Sequence, residues 1–277
     1  MKKNLWLPML LVLIAAAVGV GLLWRSQSVS LPKAPPPVAS APAEPPVVVA
    51  SAPASGVEPV ILHPIETPVA APPLGPGDIA PALIDLLGRK AAATFLQTDD
   101  FARRFVATVD NLGREHAAPM LWPINPMPGR FTVETRDGSP VIAADNGMRY
   151  TAFVLLVETV DMGRAVDLYV HMYPMLQHAY EDLGYPKAYF NDRFIAVIDK
   201  LLQTPDAAYP IKVELTEVKG PIRSERPWVR YQFVAPEYQS LSAGQKMLMR
   251  SGAVNERRLK AKLSEIRQQL VKRAAGR

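Results

Sequence analysis

The stretch "TDDFARRFVATVDNLG" (Thr98–Gly113) gives the clearest helix signal in the chain. Its large apolar side chains recur every three or four residues, which places them on one face of an α-helix. These side chains are Phe101, Phe105, Val109 and Leu112. Thr98 stands at the expected N-cap position, and Gly113 supplies a stop at the C-terminal end. The stretch therefore predicts an amphipathic helix whose apolar stripe packs against other elements of a domain.

Two aspartates, Asp99 and Asp100, fall in the predicted first turn, where negative charge interacts favourably with the helix dipole. Each stands four residues before an arginine, so the surface ion pairs Asp99–Arg103 and Asp100–Arg104 are expected. Neighbouring carboxylates are also found in acid–base catalysis. Because the helix start and the ion pairs already explain these residues, we assign them no catalytic role.

Short strands are predicted downstream of this helix. The sequence "RFTVETRDGSPVIAA" alternates between apolar and polar residues on both sides of Asp137-Gly138, which indicates a β-hairpin. The segments "PIKVELTEV" and "WVRYQFV" alternate in the same way. Two strands alone are only marginally stable, so the hairpin is expected to lean on helices.

Stretches with helical spacing surround these strands. The predicted helices cover residues 78–87, residues 146–159, a long segment up to Leu183, a segment capped by Asn191, and a segment capped by Ser240 or Ser242 that ends at Gly252. A final helix follows in "NERRLKAKLSEIRQQLVKR". The predicted fold class is mainly α with a small antiparallel β component (α+β), in one α-rich globular domain that spans residues 77–273.

The beginning of the chain contains 20 consecutive uncharged residues, Leu5–Trp24. About 20 apolar residues in a helix cross the hydrocarbon core of a bilayer, so residues 5–24 are predicted to form a transmembrane helix. Lys2 and Lys3 precede this span and favour a cytoplasmic position for residues 1–4. A cleaved signal peptide is the alternative, but the apolar run continues well past the small residues that would form its cleavage site.

A proline-rich segment, residues 26–76, follows the predicted span and contains 14 of the 28 prolines in the chain. Such a composition buries too little apolar surface to fold, and its prolines favour extended conformations. We therefore predict a disordered linker that holds the domain away from the membrane. The charge distribution around the span places the domain in the periplasm of a bacterial cell, anchored to the inner membrane by a single pass.

Several classes of active site are absent from the sequence. The chain has no cysteine, which excludes disulfides, zinc–thiolate sites and a cysteine nucleophile. It also lacks the serine-hydrolase elbow, the phosphate-binding loop of nucleotide hydrolases and the glycine fingerprint of dinucleotide-binding proteins. We therefore predict no cofactor, and the sequence disfavours an enzyme without excluding one.

Two histidines lie seven residues apart in the long predicted helix. His171 and His178 would share one helix face, with Asp167 and Glu181 nearby, so one interpretation is a metal site with two histidines and two carboxylates. The spacing differs from that of helical zinc proteases, and Pro174 stands between the histidines. Histidines with ordinary hydrogen-bond partners are the preferred interpretation, and no metal ligand is assigned.

The positive charge of the chain is concentrated at its C-terminal end. Residues 77–249 contain 18 Lys and Arg against 21 Asp and Glu, whereas residues 250–277 contain 9 against 2. An apolar seam of Leu259, Leu263, Ile266 and Leu270 predicts that the last helix docks on the domain or on a partner helix. Off this seam lies a candidate partner-binding basic face, formed by Arg257, Arg258, Lys260, Lys262, Arg267 and Lys272.

Three uses of this basic face compete. It is the solvated outside of a core helix, or it contacts an anionic envelope component such as lipid headgroups, cell-wall polymer or an acidic protein. Nucleic acid is the third, disfavoured use, because it requires a cytoplasmic domain and because the face has no interleaved aromatic residues for base stacking.

Several blocks of this sequence resemble a family of uncharacterised proteobacterial proteins, domain of unknown function 3014. The blocks are "TDDFARRFVATVDNLGR", "RFTVETRDG", "LGYP" at Leu183–Pro186 and "LSAGQKMLMRSGAVNERRLKAKLSEIR". The resemblance extends from about Pro81 to Leu270. It implies a membrane-anchored envelope protein with a proline-rich spacer and a mostly helical domain, and it supplies no catalytic residues.

These observations predict a membrane-anchored periplasmic binding or scaffold module of the cell envelope. Its expected partners are the lipid bilayer, through residues 5–24, and an envelope protein or an anionic cell-wall or lipid component. One alternative is an envelope hydrolase with a noncanonical site near His171, His178 and the hairpin at residues 130–140. A nucleic-acid-binding protein is the other alternative, if the domain is cytoplasmic.

Overall fold

Helices make up most of the computed structural model, which describes residues 60–66, 74–217 and 225–275. All of these residues belong to one compact unit. The predicted cytoplasmic N-terminus, the predicted transmembrane helix and the predicted linker up to residue 59 lie outside the described residues. Within the described part of the chain, no helix combines the length and the apolar character needed to cross a bilayer.

The described helices match most of the predicted ones in position. They are α1 (Ile79–Leu87), α2 (Arg89–Phe95), α3 (Phe101–Leu112), α4 (Met148–Thr159), α5 (Met162–Asp182), α6 (Phe190–Leu202), α7 (Pro236–Gln239), α8 (Ala243–Arg250) and α9 (Ala253–Ala275). Short 3-10 turns occur at Pro119–Leu121, Ala144–Gly147 and Pro227–Val229.

Two small antiparallel sheets complete the fold. Strands β1 (Val133–Arg136) and β2 (Ser139–Ile142) form the predicted hairpin, and β3 (Val213–Leu215) pairs with β4 (Tyr231–Phe233). Asp137 and Gly138 connect β1 to β2 with φ angles of 51° and 73°, which suit the two-residue turns of tight hairpins. The prediction of a mainly helical α+β fold with a small antiparallel component is therefore confirmed.

The buried apolar side chains form two clusters. The larger cluster lies among the helices and includes Val106, Leu176, Phe190 and Ile198. The smaller one lies between the sheets and α8. Helix α9 closes the larger cluster with its predicted seam: Leu259, Leu263 and Ile266 are partly buried against it, and Leu270 is fully buried.

The start of α3 differs from the prediction. Asp100 has a φ of 53°, a left-handed conformation that a right-handed helix cannot include. Helix α3 therefore begins at Phe101, and Thr98 is not its cap. The side chains pair differently as a result. Arg103 lies 3.8 Å from the carboxylate of Asp100, and the Nε of Arg104 donates to the carbonyl oxygen of Asp99. The two predicted i,i+4 ion pairs are therefore wrong.

The predicted cap at Asn191 is also wrong, because α6 begins at Phe190 and Asn191 is a fully buried residue of its first turn. Its amide oxygen accepts a hydrogen bond from the hydroxyl of Tyr169 at 3.0 Å. By contrast, Ser242 caps α8 as predicted. Its hydroxyl accepts from the backbone N–H of Gln245, whose side chain accepts from the backbone N–H of Ser242, forming a capping box.

Part of the predicted linker, residues 26–76, packs against the domain. In residues 60–66, the backbone N–H of His63 donates to the carboxylate of Asp192 at 2.7 Å. Ile65 is 9% exposed and belongs to the larger core cluster. An apolar side chain and a helix-borne carboxylate thus hold this short segment, so the packed chain extends upstream of the boundary predicted at residue 77.

Candidate functional site: an arginine pocket

The two helical histidines do not converge with carboxylates into a metal site. His171 contacts the carbonyl oxygen of Asp167 through Nδ1 at 2.8 Å, within its own helix. His178 is exposed and lies 4.0 Å from Glu181 and 3.7 Å from Asp182. No group of three or more metal-ligating side chains occurs among the residues that the structure describes.

The hairpin and these histidines lie in different parts of the fold. His171 and His178 are on α5, which packs in the larger cluster, whereas β1 and β2 contribute to the smaller one. A cleft of about 610 Å³ runs beside the hairpin, but its lining, drawn from the described residues, includes no histidine. Glu134 and Arg136 face each other across 3.0 Å in that cleft. Among the described residues, the helix with the two histidines and the hairpin therefore belong to different clusters, although the hydrolase hypothesis groups them in one site.

Most cations of the candidate basic face on α9 already contact other residues of the domain. Four of its six cations contact acidic or carbonyl groups. Arg258 pairs with Glu158 at 3.6 Å, Lys260 donates to the carbonyl oxygen of Thr204 at 2.6 Å, Lys262 pairs with Glu265 at 2.9 Å, and Arg267 forms a two-pronged pair with Asp199. Arg257 and Lys272 are exposed and make no ion pair with any described residue.

A different set of cations lines a pocket of about 320 Å³ between the loop before β1, the start of α4, the end of α8 and the segment before β4. We call it the arginine pocket and define it by Arg130, Arg149, Arg250 and the aromatic residues Tyr150 and Trp228. No aspartate or glutamate occurs among its described lining residues. None of the three arginines forms a salt bridge within the described part of the chain.

Arg250 is the most enclosed of these cations. Its guanidinium carbon lies 4.9 Å from the ring centroid of Phe233, and its Nη2 donates to the carbonyl oxygen of Tyr231 at 3.0 Å. Burial lowers the pKa of Arg250, because the charged form loses hydration and no carboxylate compensates for it. A desolvated cation with spare donors is a favourable place for a bound anion.

Arg130 and Arg149 are held at the pocket by different means. The guanidinium of Arg130 lies 4.0 Å above the ring of Trp228, in a cation–π contact. Arg149 donates to the carbonyl oxygen of Pro128 at 2.9 Å and to that of Gly129 at 3.4 Å. Gly129 has a φ of 76°, a conformation that favours glycine, and it lets the loop turn towards the arginine.

A buried amide connects the segments that form the pocket. Asn146 is fully buried, and its oxygen accepts from Arg149 at 3.1 Å and from the backbone N–H of Thr132 at 3.3 Å. Its nitrogen donates to the carbonyl oxygen of Arg250 at 2.9 Å. One side chain therefore fixes the loop before β1, the start of α4 and the end of α8 relative to one another.

The chemistry of this arrangement favours anion binding. A guanidinium group presents five N–H donors in a planar fork that matches the oxygens of a phosphate or a carboxylate. The described lining offers neither a histidine nor a carboxylate to act as a general base. The pocket can therefore hold an anion, but it does not contain the usual groups for transferring a proton.

Sequence reasoning missed this pocket for a clear reason. Arg130 and Arg149 come from one part of the chain and Arg250 from another, about a hundred residues later, so no local spacing joins them. The basic excess of the last 28 residues indicates a charged face on α9 instead. The only local hint is the aromatic neighbour of Arg149, Tyr150, and adjacent residues of this kind are too common to mark a site.

Comparison with known proteins gives one match. The family model described as "Protein of unknown function (DUF3014)" matches residues 101–267. No curated protein and no solved structure matches the chain. The matched residues include most of the helices and both sheets, together with all three arginines of the pocket. The chain belongs to the DUF3014 family of proteins of unknown function.

Proposed function

We propose that this protein is a membrane-anchored binding module of the cell envelope, and that its domain binds an anionic group in the arginine pocket. The observation that carries this proposal is the set of three arginines that line one pocket without a carboxylate among its described residues. Arg149 and Arg250 are partly buried, and charges of this kind are normally paired, whereas Arg130 is exposed and adds positive charge to the pocket. An external anion supplies the missing partner.

A binding role fits this pocket better than catalysis does. Arg149 and Arg250 lie on separate segments that converge on one small volume, and the hydrogen bonds of Asn146 hold these two segments together. Preorganised donors of this kind favour affinity for an anion. The described lining provides no nucleophile activated by a base, so we propose recognition and not hydrolysis.

The proposed cellular setting rests on the sequence. The uncharged run at residues 5–24 supports a single-pass anchor, and the lysines before it support a periplasmic domain. Reporter fusions at Arg277 test the topology in intact cells. We expect activity from a periplasmic reporter. Activity from a cytoplasmic reporter contradicts this orientation and makes nucleic acid a partner to be tested.

Anion binding is tested with inorganic phosphate and the full chain in nanodiscs of zwitterionic lipid. The chain has four tryptophans, and Trp228 is stacked against Arg130, so ¹⁹F NMR of 5-fluorotryptophan-labelled protein reports on the pocket. We expect phosphate to shift the Trp228 resonance in a saturable manner. A Trp228→Phe variant identifies the resonance.

The variants Arg130→Gln and Arg250→Gln should each weaken phosphate binding about tenfold or more, since each removes charge-assisted hydrogen bonds. Arg103→Gln is the matched control, because it removes the same charge from an exposed position on α3. Its phosphate affinity should equal that of the unmodified chain. Equal affinity in all four proteins, or no saturable shift at Trp228, contradicts the proposed function.

A further inference from the structure

An apolar cavity of about 410 Å³ lies beside the arginine pocket, between α3, α4, α6, α8, α9 and the loop before β1. We call it the apolar cavity and define it by Phe105, Trp122, Phe153, Val157, Met247 and Leu263. These six side chains are only partly buried, so the cavity is open to the surface of the domain. Its volume falls in the range of roughly 300–1,000 Å³ that is usual for small-molecule sites.

The wall of the cavity contains an unsatisfied donor. The indole Nε1 of Trp122 is buried and has no hydrogen-bond partner among the described residues. Buried donors normally have a partner, so an acceptor oxygen that reaches this indole would remove the cost of leaving it unpaired. A ligand with an acceptor oxygen near its hydrocarbon part satisfies this group, whereas a plain hydrocarbon does not.

The apolar cavity and the arginine pocket share part of their lining. Met127 and Tyr150 line both of them. A cationic pocket and an apolar cavity are therefore adjacent within one domain. Together they are complementary to a molecule with an anionic group at one end and a hydrocarbon chain at the other. The cationic part suits a phosphate or a carboxylate, and the apolar part suits a hydrocarbon chain.

We infer that the ligand of this domain is an anionic lipid, with its phosphate group at Arg130, Arg149 and Arg250 and an acyl chain in the apolar cavity. This inference rests on the proposed function, because it assigns the arginine pocket to the headgroup. It adds the substrate class and a second subsite. An ester oxygen between headgroup and chain would supply an acceptor to Trp122.

Other occupants account for only part of this surface. An uncharged apolar molecule fills the cavity but leaves the arginines unpaired, and a free phosphate pairs with the arginines but leaves the cavity and the Trp122 indole unused. A segment of this chain or of a second copy is a third candidate. Probes that differ in charge and in chain length separate these occupants from an anionic lipid.

The test compares inorganic phosphate, butyl phosphate, octyl phosphate and octanol on the full chain in nanodiscs of zwitterionic lipid. ¹⁹F NMR reads the apolar cavity through Trp122 and the arginine pocket through Trp228 in one spectrum. A Trp122→Phe variant assigns the second resonance. We expect octyl phosphate to shift both resonances with one affinity, and each additional buried methylene to tighten binding about fourfold.

A cavity-filling variant, Val157→Phe, adds a ring on the wall of the apolar cavity. It should abolish the dependence on chain length while inorganic phosphate still shifts Trp228. Val254→Phe is the matched control, because it enlarges a 54% exposed helical valine that lines neither the apolar cavity nor the arginine pocket. The chain-length series on the unmodified protein needs neither variant, so the inference can be tested even where Val157→Phe fails to fold.

The outcomes separate this inference from the proposed function. Equal affinities for inorganic, butyl and octyl phosphate at Trp228 overturn the lipid assignment and leave anion binding intact. Octanol binding at Trp122 without any phosphate response at Trp228 overturns both proposals. A Trp122 resonance that no probe moves overturns the lipid assignment as well, and it is the result expected where a segment of this chain or a second copy already fills the cavity.

Discussion

The side-chain amide of Asn146 donates a hydrogen bond to the carbonyl oxygen of Arg250 over 2.9 Å. The two residues are 104 positions apart, and this bond joins the 3-10 turn before α4 to the end of α8. The oxygen of the same amide accepts from Arg149. The geometry of the arginine pocket therefore depends on a residue that does not line it.

We expect Asn146→Ala to lower the free energy of unfolding by about 2–4 kcal/mol, because it leaves buried donors and acceptors unpaired and opens a small cavity. Where the protein remains folded, its phosphate affinity should fall although every arginine is still present. Urea unfolding measures the first effect and the Trp228 resonance measures the second. Asn111→Ala is the control, since the Asn111 side chain makes no hydrogen bond with a described residue. Unchanged phosphate affinity in Asn146→Ala contradicts the positioning role.

Local sequence rules succeeded where a structure is determined by neighbouring residues. Asp137-Gly138 specifies a tight turn through its backbone conformation, and Ser242 with Gln245 forms a capping box within four residues. The seam of α9 follows from the helical period alone. Each of these features was predictable because the deciding residues are close together in the chain.

The rules failed where tertiary contacts decide. Thr98 has the character of an N-cap, but the left-handed conformation of Asp100 moves the helix start to Phe101, which is buried. Asn191 also has the character of a cap, but its side chain bonds to Tyr169 across the core. The arginine pocket failed for the same reason, since its parts meet only in the folded domain.

A buried carboxylate on α3 provides a second test of packing. Asp110 is 3% exposed, its Oδ1 accepts from the Nε of Arg193 at 3.0 Å, and its Oδ2 lies 2.6 Å from Arg114. Asp110→Asn removes the charge with little change in volume. We expect it to lower the free energy of unfolding by about 2–3 kcal/mol. Breaking a fully buried ion pair usually costs about 3–5 kcal/mol, and the cost here is smaller because both arginines are partly exposed.

The control for Asp110→Asn is Asp100→Asn, an exposed aspartate at the start of the same helix, where the ion pair is long. That change should alter the free energy of unfolding by less than about 0.5 kcal/mol. Urea denaturation of the full chain in the same nanodiscs compares the two variants. If the two variants have equal free energies of unfolding, the charge of Asp110 adds no net stability through Arg114 and Arg193.

The segment at residues 60–66 is expected to detach when its carboxylate anchor is removed. Asp192 accepts from the backbone N–H of Leu62 at 2.9 Å and from that of His63 at 2.7 Å. In Asp192→Ala these two amides should exchange hydrogen faster, and the free energy of unfolding should fall by about 1 kcal/mol. Hydrogen-exchange mass spectrometry measures the change. Asp182→Ala is the control, and unchanged exchange at residues 62 and 63 in Asp192→Ala contradicts the anchoring role.

The cations of α9 divide into structural and free ones, and this division is testable. Arg267 pairs with Asp199, whereas Arg257 and Lys272 are exposed and have no ion pair in the described chain. Arg267→Gln should lower the free energy of unfolding by about 0.5–1 kcal/mol, the usual value for a partly exposed pair, and the double variant Arg257→Gln/Lys272→Gln should leave it unchanged. If α9 contacts an anionic envelope partner, crosslinking in intact cells followed by pull-down should lose that partner in the double variant only. Identical crosslinked products in both proteins contradict a partner-binding face on α9, and they leave the arginine pocket as the place where this domain meets negative charge.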